Sequence, residues 1–501
     1  MNSNSYTEKR FANNVMKLAG GSMVAQVFGI AVSPIITRLF APEAMGIMAL
    51  FISISSVLGV ISCLRYELSI VLPADEKDSA NLFASSLIIT ALLSAIILIC
   101  VAVFGECFSA LTNTEELNNY LWLLPISVFL QGGFLAFNYW STRSKHFGRL
   151  SLARVASSLV NNLSKLSLGF VGFVNAGTLI CAYIIGQIIS FVFLGAPIFK
   201  KNYSLFKSTI SLSRMAENLS RYRQFPQFST WTALLNSASV NIPAWILAIF
   251  FSPVVVGFYA ICRIFLAMPM QFIGSAIAQV FFQQATELKN TNGNLSATVE
   301  KVFTTLVLLS LFPVLMLMLT GEELFALVFG QRWAEAGFYA QILSPWIFVV
   351  FISSPLSNLF NVLEKQHIGL IFDTLLFSSR LVSLIVGGLL NDVYLALALF
   401  SGSGFLVWTG ICFWLLNSSG VSKIRVMNKI MKYVLFCLPF VIFEAFIKWQ
   451  LQVNTLVLIT SMGIGILLYY SFVLANDESM KKQLLYIFNK FNFSPMKVSE
   501  K

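Results

Sequence analysis

The chain has 501 residues, of which 57% are hydrophobic and only 11% are charged. Soluble globular domains carry about 25% charged residues, so this composition excludes a soluble protein and indicates a polytopic membrane protein. The net charge of +11 does not indicate nucleic-acid binding, because the charges lie in short segments between apolar runs.

Apolar runs long enough to cross a bilayer recur along the whole chain. We predict an all-α fold with about 14 transmembrane helices, at roughly 14–39, 44–64, 79–104, 120–140, 150–171, 177–197, 227–250, 254–282, 299–320, 337–362, 367–389, 393–416, 431–449 and 453–475. With the N-terminus inside, 27 of the 33 Lys and Arg residues fall on the inner side, three fall on the outer side and three fall within spans. Basic loops stay in the cytoplasm, so both termini are predicted to be cytoplasmic.

Two pairs of short strings repeat along the chain. FAPEAMG (40–46) joins the first two spans, and FSPVVVG (251–257) joins the seventh and eighth spans, 211 positions later. KHFG (145–148) follows the fourth span and KQHIG (365–369) follows the tenth, at offsets of 220 and 221. We interpret spans 1–6 and 7–12 as two parallel copies of one six-helix unit, a MATE-like arrangement that is typical of transporters.

The second pair of strings contains the only two histidines, His146 and His367. We interpret them as a loop histidine repeated by duplication, and a pH-sensing role is the alternative.

The duplication predicts the domain organisation. It consists of an N-lobe at 1–198, a basic cytoplasmic linker at 199–226, a C-lobe at 227–417, two additional helices at 418–475 and a basic cytoplasmic tail at 476–501. Two such lobes are expected to enclose a cavity, and rocking would open it to each side in turn. The linker is basic and mildly amphipathic, so we expect it to lie on the anionic inner leaflet.

The fifth span carries a polar stripe. Arg154, Ser158, Asn161 and Lys165 are spaced by 4, 3 and 4 residues, which places them on one helical face. Two cations on such a face favour an anionic ligand in a cavity. The alternative is that Arg154 reaches the inner surface and Lys165 pairs with a carboxylate.

Other charges also lie at membrane depth. Arg263 in the eighth span has Ile52 at the equivalent repeat position, and either contacts substrate or forms a structural ion pair. In the eleventh span, Asp373 and Arg380 share a face about 10 Å apart, too far for a direct pair. We predict Arg380 as a cavity residue, and Asp373 and Glu444 as carriers of a coupling proton.

Arg65 and Glu67 flank the inner end of the second span. They are predicted either to gate entry or to form an interfacial salt bridge.

The sequence has no catalytic motif of the common hydrolase, protease or nucleotide-binding types. Its seven cysteines include no CxxC pair and form no disulfide or metal-binding pattern. We therefore predict a protein that is not an enzyme and has no cofactor or metal.

Four strings resemble the polysaccharide-exporter branch of the MOP superfamily, the Wzx-type O-antigen flippases. They are LRYELSIVLP (64–73), NYWSTRSKHF (138–147), YRQFPQFST (222–230) and GFYAICRIFLAMP (257–269) followed by QVFF (279–282). The resemblance runs from about residue 10 to 420.

This resemblance implies a flippase for undecaprenyl-diphosphate-linked oligosaccharide repeat units in the bacterial inner membrane. It also implies alternating access, coupling to a proton or sodium gradient, and work alongside the polymerase and chain-length proteins of the same pathway. In such proteins cationic cavity residues meet the diphosphate, and Arg38, Lys165 and Arg263 are the positions here to which that role transfers.

Three alternatives remain open. A drug/cation antiporter of the same superfamily would favour a cavity rich in carboxylates, whereas the intramembrane cations here equal or outnumber the acids. A lipid II flippase is poorly separated by sequence. A membrane O-antigen polymerase or ligase would need large outer loops, and the outer loops here are short.

Overall fold

The structure is a computed structural model, and it describes residues 3–111, 114–291, 293–451 and 454–476. Within these ranges all regular structure is helical. The predicted all-helical fold is therefore confirmed. The predicted basic tail lies, from residue 477 onward, outside the described residues.

Eighteen α-helices follow one another along the described chain. The first nine are α1 Ser3–Leu39, α2 Pro42–Ile61, α3 Glu76–Leu111, α4 Glu115–Leu121, α5 Leu124–Arg143, α6 Phe147–Val171, α7 Ala176–Thr209, α8 Leu212–Arg221 and α9 Thr230–Phe250. The other nine are α10 Pro253–Pro269, α11 Ser275–Asn290, α12 Leu295–Phe329, α13 Ala334–Ser353, α14 Leu359–Val362, α15 Gln366–Leu389, α16 Val393–Ser418, α17 Lys423–Trp449 and α18 Thr455–Asn476.

Short segments of other helix types connect or interrupt these helices. They are the 3₁₀ turns Tyr66–Val71, Gln331–Trp333 and Ser354–Asn358 and the π-helical turns Phe225–Ser229 and Met270–Gly274.

Twelve helical segments of the described chain are long and apolar enough to cross a membrane. A thirteenth is obtained if α4 and α5, which meet at a bend of 52°, form one span. The predicted span at 150–171 is a helix, α6, but its serines, asparagines and charges make it too polar to qualify. The protein is therefore a multi-pass membrane protein, and the predicted number of fourteen spans is not confirmed.

The chain forms two compact units. One comprises Met1–Ile261 with Leu384–Val393, and the other comprises Cys262–Ser383 with Tyr394–Lys501. This division follows the density of contacts rather than the sequence repeat, and the lobe boundaries at 198 and 227 stay a prediction.

In the first unit, α6 packs between α1 and α7, α3 packs on α5, and α2 packs on α9. An aromatic core packs where the beginning of α3 meets the ends of α5 and α7. There Phe83 stacks on Phe206 at 5.2 Å and lies 5.2 Å from Trp140 between ring centres.

In the second unit, α12 packs on α13 and also carries the two additional helices, α17 and α18. Lys448 on α17 donates to the Leu319 carbonyl at 2.7 Å and pairs with Glu323 at 2.7 Å. Tyr470 on α18 donates to the Leu309 carbonyl at 2.7 Å. The additional pair of helices is thus fastened to α12 by polar groups as well as by packing.

The corners FAPEAMG and FSPVVVG have the same backbone structure at the predicted offset of 211. Phe40 N–H donates to Ile36 O at 2.9 Å, and Phe251 N–H donates to Leu247 O at 3.1 Å. In both corners a proline then begins the next helix at its first turn, where a missing N–H costs nothing.

These two corners also contact each other within the first unit. A Cβ built at Gly46 would collide with the carbonyl of Pro253, and a Cβ at Gly257 would collide with the carbonyl of Pro42. The contact is therefore reciprocal, as expected for two copies related by a twofold axis. Only glycine permits this approach of the two backbones.

The turns around α6 and α15 match at an offset of 219. Lys145 and Glu364, which precede the two helices, both have φ of 56°. At the far ends, Gly172 and Asn391 both adopt positive φ, and each N–H bonds three residues back. Because the structural offset is 219, His146 is equivalent to Lys365. The two histidines are therefore not equivalent positions of the repeat, contrary to the sequence-based interpretation.

Candidate functional site

Three of the four strings that carry the family resemblance meet in the first unit, and we call this place the motif junction (residues 64–73, 138–147 and 222–230). The Tyr66–Val71 turn packs on α5 and on the Phe225–Ser229 turn. Arg143 of the second string donates to the carbonyls of Val71 at 3.3 Å and Pro73 at 2.7 Å. One arginine thus holds the segment that leads from α2 into α3.

Within the motif junction, Glu67 is completely buried and Arg65 is one-quarter exposed. Arg65 Nη1 lies 3.4 Å from Glu67 Oε1, and neither carboxylate oxygen has a hydrogen bond within the described residues. Burial raises the pKa of Glu67 to about 7, despite the opposing effect of its own backbone amide and of Arg65. The predicted salt bridge between Arg65 and Glu67 is present. The gating role of the two residues stays a prediction.

The predicted linker is docked on the same unit. Its helix α8 packs on α3, Tyr66 Oη donates to the Leu219 carbonyl at 3.0 Å, and Asn81 Nδ2 donates to the Thr209 carbonyl at 3.0 Å. Asn218, which is buried, lies 3.3 Å from Asp78 Oδ1. The linker is therefore fastened to the motif junction by hydrogen bonds. Its expected position on the inner leaflet stays a prediction.

The structure divides the polar stripe of α6 between two neighbours. Arg154 Nη1 donates to Ser22 Oγ at 3.0 Å and Ser158 Oγ donates to the Ala25 carbonyl at 2.9 Å, both on α1. Asn161 faces α7, where a Cβ on Gly186 would come within 2.9 Å of its own Cβ. Its Oδ1 is buried and has no hydrogen bond among the described residues.

Lys165 lies on α6 between the faces that contact α1 and α7, and it is only 8% exposed. No carboxylate among the described residues forms a salt bridge with its ammonium group. One of the two predicted alternatives, pairing with a carboxylate, therefore does not occur in the described part of the chain. A buried cation without an acid is costly, which makes it a candidate for contact with an anion.

In the second unit, Arg380 of α15 lies against two aromatic rings. Its guanidinium carbon is 4.9 Å from the ring centre of Trp346 and 5.4 Å from that of Phe400. These rings are themselves in edge-to-face contact at 5.2 Å. Cation–π contacts of this kind stabilise the charge without neutralising it.

Asp373 lies two turns before Arg380 and is exposed. No salt bridge joins it to a described cation, in agreement with the expected separation. Asp373 lines a cavity of about 390 Å³ formed by the ends of α14, α15 and α16. Its predicted role in coupling is untested by this geometry and stays a prediction.

The other predicted residues are placed as follows. Arg38 is exposed in the last turn of α1, and Arg263 is half-buried in α10. Glu444 is 2% exposed in α17, and its Oε1 lies 2.9 Å from Ser461 Oγ of α18. The roles of these three residues stay predictions.

Sequence reasoning missed the residues that support the candidates. It did not identify Arg143 as the clamp of the motif junction, or Trp346 as the partner of Arg380. In the first case Arg143 directly follows the aromatic and hydroxyl residues NYWST (138–142), which was a visible signal. The aromatic partner of Arg380 comes from another helix, so nothing local in the sequence indicates it.

The family model for polysaccharide biosynthesis proteins matches residues 35–337, which is more than half of the chain. No curated protein matches the chain. Among solved structures, the chain resembles one described as lipid II flippase MurJ in an inward closed conformation. The TM-score is 0.72 at 13% identity, covering 92% of this chain and 99% of that one.

The chain also resembles the inward-facing conformation of a multidrug resistance MATE family transporter of the MOP superfamily. Here the TM-score is 0.53 at 15% identity, covering 84% of this chain and 98% of that one. These similarities establish a MurJ/MATE-like fold. The family match, which covers the motif junction and both corners, shows that the chain belongs to the polysaccharide biosynthesis protein family.

Proposed function

We propose that the protein is a flippase that moves undecaprenyl-diphosphate-linked oligosaccharide repeat units from the cytoplasmic to the periplasmic leaflet. The observation that carries this proposal is the combination of a polysaccharide-biosynthesis family match with a fold shared with a lipid II flippase. A diphosphate-linked sugar cannot cross hydrocarbon unaided, and moving it across the membrane breaks no bond. Such a molecule is therefore the cargo that fits a transporter fold in a polysaccharide biosynthesis family.

The intramembrane cations support an anionic cargo. Lys165 is buried without a carboxylate among the described residues, and it serves in this proposal as the contact for the diphosphate. Arg154, Asn161 and Arg380 are proposed to line the path, with Arg38 and Arg263 as further contacts. Alternating access exposes them to each leaflet in turn.

Coupling to an ion gradient is part of the proposal. Glu67 has a pKa of about 7 and lies next to Arg65, so taking up a proton switches the local charge at physiological pH. Asp373 and Glu444 are proposed as further coupling groups. The protein is placed in the bacterial inner membrane with both termini cytoplasmic, and the polymerase and chain-length proteins of the pathway are its proposed partners.

The test is the sidedness of lipid-linked oligosaccharide in cells lacking this protein. We expect repeat units to accumulate on the cytoplasmic leaflet and surface polymer to disappear. Lys165→Ala and Arg263→Ala are expected to impair rescue without lowering the amount of protein. Repeat units that reach the outer leaflet normally in the deletion cells refute the proposal.

A second candidate function is the flipping of lipid II, and the TM-score of 0.72 to the MurJ structure favours it over a drug antiporter. Rescue of growth in cells depleted of their lipid II flippase would establish it. Altered drug sensitivity without any change in polymer would instead indicate the antiporter.

A further inference from the structure

The cavity in the second unit combines aromatic rings with polar side chains. Its volume of about 390 Å³ falls in the range of small-molecule sites, ~300–1,000 Å³. The lining residues used below are Asn361, Phe360, Gln366, Phe372, Asp373 and Trp408.

The aromatic wall is held in place by close packing. Phe360 stacks on Trp414 with ring centres 5.0 Å apart and lies 6.3 Å from Phe372. A Cβ on Gly369 would be 3.5 Å from Phe360, so the helix backbone also supports the ring. The rings are thus fixed before any ligand arrives, which lowers the entropic cost of binding.

Three polar side chains of the cavity wall are unused. Asn361, Gln366 and Asp373 are exposed and form no hydrogen bond to a described residue. Trp408 Nε1 also has no partner within the described chain, but it is sealed from the cavity and offers no bond to a ligand. The cavity thus presents two amides and one carboxylate beside fixed aromatic rings.

These features fit a sugar ring better than other ligands. A pyranose presents an apolar C–H face to an aromatic ring, and its hydroxyl groups both donate and accept hydrogen bonds at the rim. Asp373 would repel a phosphate. An organic cation would satisfy Asp373 and the rings but would leave both amides without partners.

We propose that this cavity binds one neutral or amino-sugar pyranose of the oligosaccharide and thereby selects the cargo. This inference rests on the proposed function, and it adds a sugar-recognition subsite to the cations assigned to the diphosphate. Asp373 and the amides bind the hydroxyl groups, and the phenylalanine faces pack on the C–H groups.

The test measures binding of the repeat-unit oligosaccharide, obtained by hydrolysing the surface polysaccharide of the source cells, to the full-length protein in nanodiscs. This probe has neither lipid nor diphosphate. We expect Asn361→Ala, Gln366→Ala and Asp373→Asn each to weaken its affinity about tenfold, as expected for the loss of one good hydrogen bond.

Trp449→Ala is the matched control, because Trp449 is 65% exposed on α17 and lies outside the cavity. Inorganic pyrophosphate should not compete with the oligosaccharide. Variants that bind the oligosaccharide as tightly as the wild type overturn the proposal, and so does a site that binds ethidium through Asp373 but no oligosaccharide. Normal polymer export in cells lacking the protein, together with Asp373-dependent sugar binding, would refute the flippase but keep the sugar site.

Discussion

Helices α6 and α15 begin after the same left-handed turn and end in the same positive-φ turn, 219 residues apart, yet they differ in their polar faces. At this offset Arg154 is equivalent to Asp373, and Asn161 is equivalent to Arg380. On α6 the polar groups bond to α1 or pack on α7, whereas Asp373 on α15 is exposed beside a cavity.

The two helices thus share the backbone turns at their ends while their charges differ. Lys165 has Leu384 as its equivalent, which is 1% exposed, so one copy buries a cation where the other buries an aliphatic side chain. Arg263 likewise replaces Ile52. The segments with matching turns therefore carry different sets of charges.

Substitutions in the two corners test the part of the comparison in which the two backbones are alike, and they have the largest expected effect. Gly46→Val and Gly257→Val each place a side chain on the backbone of the opposite corner, so both should lower stability by about 3 kcal/mol or more. Thermal unfolding in detergent measures the effect. Gly402→Ala, which meets nothing within 4 Å, is the control and should not destabilise. A harmless substitution at either corner would contradict the reciprocal contact.

Glu67 lies in the turn that joins α2 to α3. The matching stretch of the repeat, from Pro253 to Ala285, contains no acid, so Glu67 tests the difference in charge between the two stretches. Its pKa is raised from 4.5 to about 7, so the folded state holds the proton more tightly than the unfolded state. Stability from this group is full below pH 4.5 and falls as the pH rises to about 7, by at most about 3 kcal/mol.

Glu67→Gln should remove this fall, and the difference in melting temperature between the variant and the wild type should grow from pH 4.5 to pH 7. Glu364→Gln is the control, since the Glu364 side chain is 82% exposed. Parallel pH profiles for Glu67→Gln and the wild type would rule out the buried, protonatable carboxyl.

Lys165→Leu installs the residue of the second copy. Because it removes a buried charge that has no carboxylate within the described chain, we expect a gain in stability of about 2 kcal/mol, together with loss of export. Melting temperature and surface polymer are measured on the same samples. A loss of stability would mean that Lys165 is structural.

The substitutions Arg154→Gln and Asp373→Asn compare the equivalent positions of α6 and α15, and they have the smallest expected effects. Arg154→Gln loses a charged hydrogen bond to Ser22 and should cost about 1.5 kcal/mol. Asp373→Asn should change stability by less than about 0.5 kcal/mol, because the side chain is exposed, but should reduce export. Equal stability effects at the two positions would remove the contrast between α6 and α15.

Much of the fold follows from the sequence, since apolar length was enough to predict an all-helical protein with many membrane spans, whereas the duplicated six-helix core stays a prediction. The pairing of His146 with His367 was wrong by two residues, because short loop strings align by letters and not by hydrogen bonds. The sequence predicted the polar stripe on α6, but helical periodicity alone does not say which neighbouring helix each residue of the stripe faces. The rings around Arg380 come from distant helices and leave no local pattern.

The reciprocal contact between the two corners restricts which substitutions the protein tolerates there. Each glycine accommodates the other copy's proline carbonyl, so a larger residue at either position is tolerated only with a shift of the backbone opposite. Pro42–Gly46 and Pro253–Gly257 are therefore expected to evolve as a linked pair. Charges elsewhere in the two halves are able to differ, but a substitution on one side of this contact is constrained by the residue on the other side.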